Sequence, residues 1–228
     1  MVAVNPIIAA WVGRVRYEPA VALQRLVAEL RAEGKLADTL LLLEHEPVYT
    51  IGKRGSDAEI LLDPDELERQ GIEVAHTDRG GLVTYHGPGQ LVGYPIFQLG
   101  PAADVVDFVC RLEKTMIGAA ARFGVTATRA DGFPGAWVGD AKLGAIGVHV
   151  SRGITTHGFA LNVATDLAAF NGIVPCGLVD KTVTSLAEQT GRAISLDESV
   201  AATIAAAADA FDRPVTLTEM DFEAIAGG

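Results

Sequence analysis

Helical and strand-like patterns alternate along the whole chain, hairpin signals fall between the helices, and no repeat or low-complexity linker divides it. These observations predict an α+β protein, with mixed and antiparallel sheets packed with helices, rather than a doubly wound parallel sheet. The chain has 228 residues and 49% hydrophobic content, enough for one sizeable core, and a single domain over 1–228 is expected.

The apolar N-terminus, MVAVNPIIAAWVGRVRYEP, lacks a basic segment before its apolar stretch and a small-residue cleavage site, so it reads as an opening strand and not a signal peptide. Pro19–Gly34 starts with proline, ends with glycine, and carries Leu23, Leu26, Val27 and Leu30 at helical spacing. Thr39–Glu44 (TLLLLE) is a buried strand, too short for a helix. Asp63-Pro64-Asp65-Glu66 opens a short capped helix that Gly71 ends. Val74–Thr77 and Leu82–His86 are β-like, and Leu91–Leu99 is a strand interrupted near Gly93 and Pro95. Asp104–Phe123 is a helix with a stripe of Val105, Phe108, Val109, Leu112, Met116, Ala120 and Phe123. Ala136–Val138 and Ala145–Val150 flank a Gly139-Asp140 turn, and a second turn at Ser151-Arg152-Gly153 leads into Thr155–Val163. Ser195 and Glu198 form a capping box that begins the last helix, while the tail after Phe211 carries no motif.

Composition narrows the function. A net charge of −11 disfavours nucleic-acid binding, which needs a basic footprint. No apolar run approaches the ~20 residues of a membrane span. Two cysteines make no disulfide framework, so a cytoplasmic location is expected. The five histidines show no metal-ligand spacing, and no metal is expected.

The chemistry-bearing residues lie in four places. Cys176 sits in GIVPCGL between proline and glycine, a loop context that can present a reactive thiol, whereas Cys110 lies beside the apolar stripe of its helix and reads as core. TDRGGLVTYHGPGQLVGYP, residues 77–95, sets Arg79, Thr84, His86 and Gln90 among glycines that let backbone approach a ligand or form a bulge, with Tyr85 and Tyr94 bracketing it. It matches neither a Walker loop nor a GxGxxG fingerprint. Lys142 precedes an apolar strand; it is either an exposed turn lysine or a site lysine that stabilises a thiolate or acts as a base. His157, beside Gly158, is either structural or part of a substrate site, while His45, His76 and His149 read as ordinary strand or loop residues.

The block Arg79-Gly80-Gly81, Thr84, His86-Gly87-Pro88-Gly89-Gln90 resembles the signature of lipoyl(octanoyl) transferases. So do Lys142 with Ala145-Ile146-Gly147, Thr156-His157-Gly158 with Ala160-Leu161-Asn162, and Pro175-Cys176-Gly177 with Val183-Thr184-Ser185-Leu186. The four blocks occur in family order from about Leu41 to Leu186. The resemblance implies the fold of the catalytic domains of lipoate and biotin protein ligases. It implies transfer of an octanoyl (or lipoyl) group from acyl carrier protein to a lysine of a lipoyl domain, with a Cys176 thioester intermediate. On this pattern Cys176 is the nucleophile and Lys142 lowers its pKa. Arg79, Gly80, Gly81, Leu82, Val83, Thr84, Tyr85, His86, Ala145, Ile146, Gly147, Gly158, Phe159 and Ala160 bind substrate, together with His157. No cofactor is implied, neither ATP nor metal, because the donor is already a thioester on the phosphopantetheine of acyl carrier protein. The implied partners are octanoyl-acyl carrier protein, lipoyl domains of 2-oxo acid dehydrogenase complexes and the glycine cleavage H protein, with the enzyme a monomer and no nucleic acid or membrane involved. Because both the chain and such partners are acidic, Arg14, Arg16, Arg54, Arg79 or Arg152 is expected to form a basic patch at the site mouth.

Overall fold

The computed structural model describes residues 5–100, 104–174 and 182–220. Within them the chain runs β1 (Ile7–Val15), α1 (Tyr17–Ala32), β2 (Thr39–His45), β3 (Val48–Ile51), α2 (Pro64–Gln70), β4 (Glu73–His76), β5 (Val83–His86), β6 (Gln90–Ile96) and α3 (Val105–Ala121). It continues with β7 (Thr128–Ala130), β8 (Phe133–Val138), β9 (Ala141–Ser151), β10 (Ile154–Asn162), β11 (Thr182–Val183), α4 (Leu186–Thr190), α5 (Leu196–Phe211) and β12 (Val215–Leu217). Short 3-10 helices lie at Asp57–Glu59 and Leu167–Gly172.

The large sheet has the order β12-β1-β2-β6-β10-β9-β8-β7, with β11 added against β9, and β4-β3-β5 form a second sheet. Parallel pairs (β1 with β2 and β12, β3 with β4, β9 with β11) mix with antiparallel ones, so the structure is the predicted α+β arrangement. The unbroken TLLLL run of β2 follows from burial on both faces. Leu40 and Leu42 enter the core shared with α3 and α5, and Leu41 and Leu43 enter the core under α1. A third apolar cluster, including Tyr49, Tyr85, Phe170 and Ile173, belongs to the small sheet.

The helix signals act as read. Asp104 accepts from the Val106 amide at 2.8 Å to cap α3. Ser195 and Glu198 exchange side-chain and backbone bonds at the start of α5. Asp63 caps α2, and Gly71 closes it in the left-handed conformation. In α3, Val105 remains 41% exposed, so the buried stripe begins at Phe108. Cys110 is partly buried.

Three expectations are corrected. β6 runs through Gly93 and Pro95 without interruption. Gly93 leaves room for the Phe159 ring, and Pro95 uses its carbonyl to accept the Thr155 hydroxyl at 2.6 Å. Lys142 does not precede its strand; it is the second residue of β9, which begins straight after the Gly139-Asp140 turn. The chain beyond Phe211 is also not featureless up to Leu217. Val215–Leu217 pairs in parallel with Ile7–Ala9, and Arg213 bonds Asp38 at 2.6 Å and the Asn5 carbonyl at 2.8 Å.

Where β6 and β10 meet, two glycines are steric necessities. A Cβ on Gly158 would overlap the Gly93 carbonyl oxygen and the Pro95 ring. Gly158→Ala is therefore expected to destabilise the fold by about 3 kcal/mol, because backbone cannot give way as a side-chain tip can. Chemical denaturation midpoints measure this, and an unchanged midpoint would refute it.

Candidate active site

One cleft lies over the face of β9 and β10 that points toward α1 and the 79–86 segment. Arg79, Gly81, Leu82, Val83, Thr84 and His86 line one side. Lys142, Ala145, Ile146 and Gly147 of β9, and His157, Gly158, Phe159 and Ala160 of β10, line the other. Gly80 and Tyr85 do not line it. Tyr85 is turned to the opposite face of β5 and packs against Tyr49 and Phe170. Cys176 lies outside the described residues.

The 79–81 turn is clamped onto β9. Gly80 donates to the Val148 carbonyl at 3.0 Å, and a Cβ on Gly147 would sit 2.8 Å from the Gly80 carbonyl oxygen. These glycines therefore admit the chain's own backbone. Arg79 is buried, and its guanidinium donates to the Thr50 carbonyl at 2.6 Å, the Thr50 hydroxyl at 2.8 Å and the Gly80 carbonyl at 3.0 Å. It thus ties β3 to the cleft wall.

Lys142 stands at one end of the cleft, with Nζ 4.8 Å from the centre of the buried Trp137 ring, a cation–π placement. Its backbone carbonyl accepts from the Thr184 amide at 3.0 Å, and Val183 pairs directly with it. The chain emerging from the segment that contains Cys176 is thereby pinned beside Lys142. On the other side of that segment, the Val174 amide donates to the Glu59 carbonyl at 2.8 Å.

A directed chain of buried side chains leads to the same place. His86 Nδ1 donates to Gln90 Oε1 at 2.6 Å, Gln90 Nε2 donates to Asn162 Oδ1 at 2.9 Å, and Asn162 Nδ2 donates to the Thr184 carbonyl at 2.9 Å. An amide oxygen can only accept, so His86 carries its proton on Nδ1. His45 is placed similarly: Nδ1 donates to the Val15 carbonyl at 3.1 Å, and Nε2 accepts from the Tyr94 hydroxyl at 2.7 Å. Burial pushes His86 down to about 3 and His45 down to about 4. Burial also holds Tyr94 and Tyr17 above the ordinary phenol value. These cleft and sub-cleft groups are uncharged at neutral pH, a lining that suits an apolar chain.

His157 occupies the end of the cleft away from Lys142, with φ of 56°, a left-handed conformation that is rare for a residue with a side chain. Gln24 Oε1 on α1 accepts its backbone N–H at 2.6 Å, and Asp78 Oδ1 takes the ring Nε2 at 2.7 Å. Burial lowers the His157 pKa despite that carboxylate, so the ring is neutral at pH 7 and donates to Asp78.

The expected basic patch is built only in part. Arg14 pairs with Glu44 at 2.5 Å, Arg16 pairs with Glu73, and Arg79 is buried, whereas Arg54, whose backbone N–H donates to the Gly81 carbonyl at 3.1 Å, and Arg152, at the rim of a neighbouring groove, both stand on exposed turns near the site. Sequence reasoning also left out Tyr17, Gln24, His45 and Trp137. Gln24 had a signal: it interrupts the buried stripe Tyr17, Ala20, Gln24, Val27 of α1, where a polar residue needs a partner. Among the described residues, no three His, Cys, Asp or Glu side chains come together to hold a metal ion, and no helix is long and apolar enough to cross a membrane.

Residues 16–208 match the family model of the lipoyl protein ligase A/B catalytic domain. The chain belongs to this family. An octanoyltransferase of Mycolicibacterium smegmatis is 47% identical over 91% of this chain and 90% of its own length. One from Mycobacterium tuberculosis is 52% identical over 86% and 82%. Similarity of that extent places this lipoyl ligase family member among the acyl-transferring enzymes. Its fold is that of a bipartite lipoate protein ligase of Thermoplasma acidophilum, with a TM-score of 0.75 at 17% identity, covering 98% of this chain and 90% of the other. A biotin protein ligase of Aquifex aeolicus shares it more distantly, at TM-score 0.52 and 12% identity over 90% and 69%.

Proposed function

We propose that the protein transfers an octanoyl group from acyl carrier protein to a lysine of a lipoyl domain through a thioester on Cys176. The placement of Lys142 carries this reading. It stands at the end of the cleft, on the strand that receives the chain leaving the Cys176 segment. The likeness to octanoyltransferases supports the acyl group, and the likeness to an archaeal lipoylation system, described as a bipartite lipoate protein ligase and its E2 lipoyl domain, supports the class of acceptor.

The chemistry then balances without an energy source. The Cys176 thiolate adds to the thioester carbonyl and expels the carrier thiolate, exchanging one thioester for another. The acceptor amine attacks the acyl-cysteine, the C–S bond breaks, and the amine proton is lost as the amide forms. The Lys142 ammonium favours the Cys176 thiolate in the first step and gives its proton to the departing carrier thiolate; the neutral amine so formed takes the acceptor's proton in the second step, restoring the ammonium as Cys176 leaves as thiolate. Leu82, Val83, Ala145, Ile146, Phe159 and Ala160 supply the apolar surface that accommodates the alkyl chain.

Intact-protein mass spectrometry tests this directly. Mixing with octanoyl-carrier protein, without ATP or acceptor, is expected to add one octanoyl group to the protein and none to Cys176→Ala. A folded protein that gains no adduct, but acylates a lipoyl domain once ATP and free octanoate are supplied, would replace this reading with an ATP-dependent ligase.

A further inference from the structure

A second hollow lies outside the acyl cleft. It is a groove of about 210 Å³ between α1 and the hairpin that joins β9 to β10, over the paired residues His149 and Thr156 and up to the turn at Arg152. Lys142 lines the cleft and has no part in the groove. The polar groups along the groove divide into those that already have partners and those that do not.

The partnered groups surround Asp78. His157 Nε2 donates to it at 2.7 Å. Lys53 Nζ, which can only donate, lies 3.4 Å from His149 Nδ1. That nitrogen therefore accepts, and the His149 proton sits on Nε2, 3.5 Å from Asp78. Two imidazole N–H groups thus meet the carboxylate, with the Lys53 ammonium behind one of them. The remaining groups are mostly donors. Arg25 of α1 and Arg152 of the turn both line the groove, and among the described residues neither side chain makes a hydrogen bond or ion pair. Gln24 lines it too and is only 2% exposed. Its Oε1 is fixed by the His157 backbone N–H at 2.6 Å, and its Nε2 is buried without a partner. A buried amide of that kind ordinarily has one. Against these donors stands one unpaired carboxylate, Glu29, a turn beyond Arg25 on α1.

We propose that this groove binds a small aliphatic monocarboxylate, held by Arg25, Arg152 and Gln24 Nε2, at a site separate from the acyl cleft. Two guanidinium groups against Glu29 leave one positive charge in surplus. A single carboxylate neutralises it, whereas a phosphate dianion would bring excess negative charge beside Glu29 and Asp78. A guanidinium also matches a carboxylate with two parallel N–H···O bonds. Val21 and Ala28 of α1 and Ile154 of β10 supply apolar surface for a short alkyl body. The space is far larger than the roughly 15 Å³ that a single water needs.

Arg152 has φ of 51°, a conformation that Asn adopts readily, so Arg152→Asn removes the guanidinium and keeps the turn. Arg25 is exposed on α1, and Arg25→Ala suits a helix. Titration calorimetry with butyrate at fixed ionic strength tests the site, with thermal unfolding to show that both variants fold. Butyrate is expected to bind the unaltered protein, to bind either variant about tenfold more weakly, and to bind Lys142→Ala as before. Acetate, two methylenes shorter, should bind several-fold more weakly than butyrate, and inorganic phosphate should not displace it. Absence of butyrate binding would leave Gln24 Nε2 to water only and overturn the proposal. Binding that survives both arginine substitutions but weakens in Lys142→Ala would place the acid in the acyl cleft and overturn it equally. Phosphate binding more tightly than butyrate would overturn the class of anion. The readout is binding alone, so it is judged apart from octanoyl transfer.

Discussion

Lys142→Ala is expected to slow octanoyl transfer to a lipoyl domain about a thousandfold, the scale on which a positioned proton acceptor acts. The loss should fall on both half-reactions, because the ammonium holds the thiolate and the amine collects the acceptor proton. Lys142→Arg separates the two roles. A guanidinium keeps the positive charge near the cleft end but does not give up its proton in a protein. Acyl-enzyme should still form in that variant, seen as the octanoyl mass adduct, while its transfer to the acceptor stalls. The Trp137 face that now holds the ammonium can stack a guanidinium as well, so the charge stays placed. Unimpaired turnover in Lys142→Ala would remove the lysine from the mechanism. Full turnover in Lys142→Arg would remove its role as base.

The second large effect concerns stability against acid. His45 and His86 are buried and neutral, pushed down to about 4 and about 3 from an ordinary 6.5. Between those values and 6.5 the unfolded chain binds protons that the folded chain does not. Stability therefore rises with pH in this window and is lost as pH falls below 6.5. At pH 5 each histidine accounts for about 2 kcal/mol of that loss. His157, also lowered by burial, acts in the same direction. Denaturant midpoints at pH 7 and pH 5 should show the drop, and His86→Gln should reduce its size. A flat profile from pH 7 to 5 would mean that these rings protonate freely in the folded protein.

Much of the architecture was legible because local chemistry dictated it. TLLLL could only be a strand buried on both faces, and Asp63-Pro64, Asp104 and the Ser195–Glu198 box announced their helices. What escaped was short or non-local. β3, β7, β11 and β12 have two to four residues each, too short to show a pattern, and β3, β11 and β12 owe their strand form to partners far away in sequence. β6 was misjudged because Gly93 and Pro95 are breakers in isolation, yet here Phe159 and Thr155 use the space and the carbonyl they leave. At the site, the family-like blocks named the residues that line the cleft, but not what holds them. Tyr85 shares a motif with His86, and strand alternation turns it away. Gln24 and His45 lie in stretches that read as ordinary helix and strand, and only burial reveals their partners. Thr184 joins the family-like block at 183–186, but its bond to Lys142 cannot be inferred from spacing.

The parallel pairing of β12 with β1 has a consequence for how the protein is made. Ile7 is paired with Val215, near the opposite end of the described chain. During synthesis β1 can find β2 early, but its outer edge stays open until Val215–Leu217 have left the ribosome. For that interval the backbone of Ile7, Ile8 and Ala9 is an unpaired, apolar strand edge, able to template association between nascent chains. Closure by so distant a strand links folding speed to the wide sequence separation of Ile7 and Val215. Chains stopped short of Val215 keep that edge open although every residue that lines the cleft is already present.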